Sequence, residues 1–222
     1  AVGDMARFFP RILAAALSTT VLGAAACLSG CGGEGNQPQN GVQSSPQGSS
    51  ASEDAVAIGG PFSLINQDGE RVTDEDLLGR PFLVFFGYAY CPDVCPLTLN
   101  KLALALDMLG PEADAFETVM ITVDPERDTP EVLKQYVGNY GFPKNLMGLT
   151  GADAEIRQAA DSYRVYYKKS ESADTSAGYL MEHSSVLYLM DAEGRFAGVF
   201  SHTETPEDIA EGLRRYLDEH GA

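Results

Sequence analysis

Apolar and polar side chains alternate through FSLINQDGERVT (residues 62–73) on both sides of Asp68-Gly69. Period-two alternation around an Asp-Gly turn predicts a β-hairpin. The run RPFLVFFGYAY (80–90) is instead continuously apolar and rich in aromatic and β-branched residues, which predicts a central strand buried on both faces. From Pro96, PLTLNKLALALDMLG places Leu97, Leu104 and Met108, with Leu99, Leu102 and Leu106 as neighbours, at helical spacing, and Gly110-Pro111 ends the helix. FETVMITVD (116–124) reads as another strand. TPEVLKQYVGNY (129–140) reads as a helix with Thr129 as its cap and Pro130 in its first turn. Strand, helix, strand, helix in this order predicts a parallel α/β core.

The same reading continues to the end of the chain. NLMGLT (145–150) is strand-like, GADAEIRQAADSYRV (151–165) is helical, and SESADTSAGYLMEH (170–183) reads as a polar loop. SSVLYLMDAEGRFAGVF (184–200) reads as two strands around Glu193-Gly194, and TPEDIAEGLRRYLDEH (205–220) as a last helix that opens with Thr205 and Pro206. The chain carries no internal repeat.

A length of 222 residues with 44% hydrophobic content suits one domain of ordinary size with sequence to spare. The formal net charge is −17, and no cluster of Lys and Arg could track a phosphate backbone, so a nucleic-acid partner is disfavoured. An acidic surface is mostly a matter of solubility; it also suits basic or cationic partners.

The spare sequence lies at the N-terminus. Arg7 and Arg11 precede ILAAALSTTVLGAAACLSG (12–30), which has no charge and ends in small residues, the pattern of an export signal. Met5 is a natural start, so residues 1–4 read as a tag remnant or a misplaced upstream start. Leu28-Ser29-Gly30-Cys31 resembles a bacterial lipobox, which would make Cys31 the lipidated mature N-terminus and discard Cys27 with the signal. A retained transmembrane anchor over 12–30 is the alternative, but the run is rich in Ala, Ser, Thr and Gly and barely long enough to span. Either anchor puts the domain on the extracytoplasmic face of the bacterial cell membrane. Residues 31–54 are rich in Gly, Ser, Gln and Pro and poor in apolar side chains, as in a flexible tether. The folded domain is expected over 55–222.

Candidate chemistry concentrates in FFGYAYCPDVCPLTLN (85–100). With Cys31 lipidated, Cys91 and Cys95 are the only cysteines left. A disulfide between them would close a very short loop, so its entropic contribution to stability would be small. The pair lies where a buried strand passes into a helix, and backbone N–H groups at a helix N-terminus favour thiolate. These residues leave a redox dithiol and a metal site as alternatives. His183, directly before a core strand, shifts the balance: two thiolates and an imidazole suit copper, Cu(I) above all, whereas structural zinc normally takes a fourth protein ligand. His202 and His220 read as a loop residue and an exposed residue of the last helix, and Asp93 as a solvated acid. In VDPERDTP (123–130), Asp124 ends a strand on the side where parallel sheets gather ligands, although a turn-forming Asp-Pro explains it equally well.

Four ordered blocks, FFGYAYCPDVCPLTLNKL, VDPERDTPEVLKQY, LTG and EHSSVLYLMDAEGRF, resemble the Sco/SenC/PrrC family of thioredoxin-like copper proteins, and the resemblance spans roughly residues 57–218. It implies an α/β thioredoxin-like fold with an N-terminal β-hairpin extension and a central, mostly parallel sheet flanked by helices. It implies Cys91 and Cys95 in the active-site loop, His183 as third copper ligand, and Asp124 as an additional Cu(II) ligand or a carboxylate supporting one. Against thioredoxin itself, the cysteines are one residue further apart and Ser185 stands where a proline is expected. Both departures follow the Sco pattern and open the site to a metal.

The implied role is delivery of Cu(I) or Cu(II) to the dinuclear copper centre of cytochrome c oxidase subunit II, or of another respiratory oxidase subunit, or reduction of its cysteines. Other copper chaperones and thioredoxin-like reductases are the further partners expected. A thiol-disulfide oxidoreductase acting on the same or another extracytoplasmic target is the alternative.

Overall fold

The computed structural model describes residues 57–171 and 178–221. The expected signal, the lipidated Cys31 and the tether up to residue 54 lie outside the described residues. The expected first hairpin is present: β1 (Ser63–Asn66) pairs antiparallel with β2 (Arg71–Thr73). Its turn is tied by Asn66, whose side-chain oxygen accepts from the backbone N–H groups of Asp68 and Glu70, each at 2.9 Å. Gly69, at φ 83°, takes the left-handed conformation that this turn requires.

Five further strands complete one seven-stranded sheet. They are β3 (Phe82–Gly87), β4 (Glu117–Thr122), β5 (Leu146–Thr150), β8 (Val186–Met190) and β9 (Phe196–Ser201), in the order β2-β1-β5-β4-β3-β8-β9. The centre, β5-β4-β3, is parallel; β1 and β8 join it antiparallel on either side. Every residue of β3 is buried, as its unbroken apolar run requires. Each large side chain buried there contributes about 1.5–3 kcal/mol.

Among the described residues, four α-helices accompany the sheet: α1 (Val94–Leu109), α2 (Pro130–Val137), α3 (Asp153–Ser162) and α4 (Pro206–His220). Thr129 and Thr205 cap α2 and α4 as expected, accepting from the N–H groups of Val132 and Asp208. Helix α1 starts at Val94, earlier than Pro96, so that Cys95 lies inside its first turn.

Two sequence readings need correction. Along α1 the buried face is Cys95, Thr98, Leu99, Leu102, Ala105, Leu106 and Leu109, whereas Leu97, Leu104 and Met108 are exposed. The helix is apolar nearly all round, so periodicity alone could not choose its inward face. The expected polar loop also contains structure: β6 (Tyr167–Glu171) and β7 (Tyr179–His183) form a separate antiparallel hairpin. Its residues are exposed or only half-buried, so it lacks the continuous apolar run by which a core strand is recognised.

Candidate metal centre

At the C-terminal end of β3 the chain turns through Tyr88-Ala89-Tyr90 into α1, with Cys91 before the helix and Cys95 in its first turn. Asp93, the residue at the cap position, makes no side-chain cap bond. Cys91 takes over that function: its Sγ accepts from the Cys95 N–H at 3.4 Å. Gly87 lets the loop close. A Cβ there would stand 3.0 Å from Cys95 Sγ, a tight contact, and 2.6 Å from the Phe85 ring, closer than Cβ atoms approach.

His183 reaches the cysteines from the end of β7. Its Nε2 lies 3.4 Å from Cys95 Sγ, and its Nδ1 lies 3.1 Å from the Ser184 carbonyl. A carbonyl only accepts, so Nδ1 carries a proton, and Nε2 is the ring atom turned toward the sulfurs and the one that would ligate a metal. The ring stands edge-on to Phe85 and Tyr88, with centroids at 6.2 and 5.8 Å. One donor atom from each of Cys91, Cys95 and His183 lies within 4.8 Å of the others.

The two thiols are unequal. Hydrogen bonding from Cys95 holds the half-buried Cys91 well below the ordinary thiol range, with the imidazole and backbone N–H groups acting in the same direction. Cys95, fully buried, is pushed far up by its bond to Cys91 and by desolvation. Cys91 is therefore the more acidic and more accessible thiol of the pair, and Cys95 the one that holds its proton more tightly.

Asp124 does not share this cluster of donors. Its carboxylate is 3% exposed, with Oδ1 accepting from the Tyr179 hydroxyl at 2.8 Å and Oδ2 from Arg127 Nε at 2.5 Å. His202 and His220 lie on the surface, His220 with Nδ1 2.8 Å from the Tyr216 carbonyl.

Sequence reasoning missed two residues of the site. Tyr88 is buried, its hydroxyl meets the Met181 backbone and the Cys91 thiol, and burial pushes its pKa up to about 12. Asp128 is fully buried, and its Oδ2 accepts from the Ala89 N–H at 2.9 Å and the Thr122 hydroxyl at 2.6 Å. That hydroxyl oxygen in turn accepts from the Asp124 N–H at 3.0 Å. Asp128 thus joins the cysteine loop to the end of β4. Its place as the second aspartate of VDPERDT was the available signal.

The SCO1/SenC family model matches residues 50–218. The chain belongs to the SCO1/SenC family. Among curated Sco proteins, it is 42% identical over 166 residues to SCO1 homolog 1, mitochondrial, of Arabidopsis thaliana, covering 74% of this chain and 48% of the relative. Among solved Sco structures, it resembles copper-bound ScoI of Bradyrhizobium japonicum at 48% identity and TM-score 0.65, covering 72% of this chain and 100% of that one. It also resembles BsSco, a member of the Sco family of cytochrome c oxidase assembly proteins in which a disulfide switch was identified, at 26% identity and TM-score 0.57, over 73% and 95% of the two chains. The fold is the thioredoxin-like α/β fold of this family.

Proposed function

We propose that this Sco protein binds copper through Cys91, Cys95 and His183 and delivers it during cytochrome c oxidase assembly, with the dinuclear copper centre of subunit II as recipient. The observation that carries the reading is the convergence of two sulfurs and one imidazole nitrogen within 4.8 Å. That donor set suits Cu(I) and also accepts Cu(II). Because Cys91 Sγ is partly accessible while Cys95 is buried, an incoming thiolate of the recipient meets copper on the Cys91 side, and the cargo leaves by ligand exchange.

Tethering to the extracytoplasmic face of the membrane through a lipidated Cys31 is part of the same proposal. The Gly-, Ser-, Gln- and Pro-rich span between Cys31 and the domain, poor in apolar side chains, supports it, since a tethered carrier searches for its recipient in the plane of the membrane.

The unequal cysteine pair, Cys91 partly accessible and Cys95 buried, favours a second reading, thiol-disulfide exchange. Cys91 thiolate attacks a target disulfide and forms a mixed disulfide with one target sulfur while the other leaves as thiolate. Cys95, losing its proton, then attacks Cys91 and releases the second target thiolate. Two electrons pass to the target, the Cys91–Cys95 disulfide remains, and a thioredoxin-like dithiol must reduce it again.

Mixing copper-loaded protein with the extracytoplasmic domain of subunit II separates the readings. Under the first, the dinuclear centre forms with wild-type protein and fails with His183→Ala. Equal reduction of a subunit II disulfide by both proteins, without metal transfer, would establish the second.

A further inference from the structure

The hairpin that carries His183 stands outside the seven-stranded sheet, so something other than the main strand ladder must set its position. At its far end from His183, the side chains of the main domain that hold Tyr179 come from the VDPERDT segment. Asp124 accepts from the Tyr179 hydroxyl, and Arg127, held by Asp124, donates through Nη1 to the Tyr179 carbonyl at 3.2 Å. The Arg127 guanidinium also stands 3.6 Å from the centre of the Tyr179 ring. One residue earlier, Glu126 pairs with Lys169 of β6 at 2.8 Å, and the Lys169 ammonium lies 3.7 Å from the same ring. Tyr179 is thus the focus of one hydroxyl bond, one carbonyl bond and two cation–π contacts.

We propose that Asp124, Arg127 and Tyr179 form a latch that fixes the β6–β7 hairpin and so positions His183 over the cysteines. The latch deepens the copper reading and rests on it in one respect, that His183 is the third donor. Tyr179 and His183 are four residues apart on one strand, so they share a face about 13 Å apart. Fixing the tyrosine at the start of β7 therefore sets the rotation of the strand at its other end. The cysteines have support of their own from β3, α1 and the Asp128 bond to Ala89; the Arg127 guanidinium also stands 5.8 and 5.0 Å from the Tyr88 and Tyr90 rings of their loop, so Tyr179→Phe is the variant that perturbs the hairpin alone. Loss of the latch should then free the imidazole and leave the dithiol in place. Asp124, with both oxygens engaged and its side chain buried, is a positioning residue on this account and not a copper ligand.

The test uses the full-length, reduced, metal-free protein and the variants Tyr179→Phe, Arg127→Gln and Asp124→Asn. Tyr179→Phe keeps the ring and removes one hydroxyl, so it retains the fold even where Asp124→Asn, a change at a buried site, does not. Backbone hydrogen exchange is measured over 167–171 and 179–183. The latch predicts roughly tenfold faster exchange in those two strands for Tyr179→Phe and Arg127→Gln, with α1 and β3 at wild-type rates. A residue that merely supports overall stability would accelerate α1 and β3 as well, and that outcome overturns the latch, as does unchanged hairpin exchange in both variants.

Copper titration of the same proteins gives a second readout. The latch predicts that all three variants move the Cu(II) spectrum toward that of His183→Ala. A spectrum altered by Asp124→Asn alone would make Asp124 a ligand and overturn the proposal. If wild type and His183→Ala bind copper identically, the copper reading fails, while the exchange data still decide whether the hairpin is latched.

Discussion

Cys95 Sγ and His183 Nε2 lie 3.4 Å apart although 88 residues separate them in sequence. The contact joins two differently built parts of the molecule, a helix start rooted in the core and a polar hairpin lying outside the main sheet. This division of labour underlies the predictions that follow, because the sulfurs and the imidazole can be perturbed separately.

The thiols should differ in reactivity. Cys91 is held below the ordinary thiol range, so its thiolate should persist as pH falls from 8 to 6, where an ordinary cysteine loses about tenfold in thiolate per unit. Iodoacetamide should modify Cys91 at a nearly constant rate over that range and leave buried Cys95 unmodified, as read by mass spectrometry. Preferential labelling of Cys95 would contradict the assignment.

Asp128 should govern an acid-range component of stability. Burial raises its pKa to about 6, above the unfolded value near 3.9. A raised folded pKa favours the protonated form, so the contribution is fully present below about pH 4 and is lost as pH rises through about 6. Asp128→Asn cannot ionise and should flatten the corresponding part of the stability profile, measured by urea denaturation of the metal-free protein between pH 4 and 7. A profile identical to wild type would exclude this group as its source.

Gly87→Ala should harm the site through contact alone. The new methyl would crowd Cys95 Sγ and the Phe85 ring, and overpacking of this kind costs about 1–3 kcal/mol. Denaturation should show that loss, and the copper complex of the variant should have altered thiolate absorption. Wild-type stability together with a wild-type spectrum would mean that the loop relaxes freely.

Helix α1 supplies a paired comparison. Leu102 is 1% exposed and Leu104 is 51% exposed. Leu102→Ala should cost about 2–5 kcal/mol, and Leu104→Ala should stay within about 0.5 kcal/mol of wild type, both by chemical denaturation. Reversed values would put the other face of the helix inward.

The same helix shows how far the sequence could be read. Its existence and its end at Gly110-Pro111 were plain, and so was the buried strand before it, because an unbroken apolar run and a Gly-Pro stop are local signals. Which of its leucines face the core depends on β3 and α4, which no local pattern reveals. Cys91, Cys95 and His183 could be singled out from residue chemistry and from the resemblance to the Sco family, but their convergence depends on a hairpin whose polar strands read as loop. Tyr88 and Asp128 stayed hidden for a related reason. Each takes its role from backbone groups distant in sequence, the Met181 amide for Tyr88 and the Ala89 N–H for Asp128.

Anaerobic titration of the reduced protein with copper, wild type beside His183→Ala, followed by absorption and EPR, tests the central claim most directly. The account predicts a one-to-one Cu(II) complex whose thiolate charge-transfer bands and EPR signal are lost or altered in the variant. Absence of stoichiometric copper binding in either oxidation state, with the Cys91–Cys95 dithiol still cycling against a disulfide substrate, would contradict it.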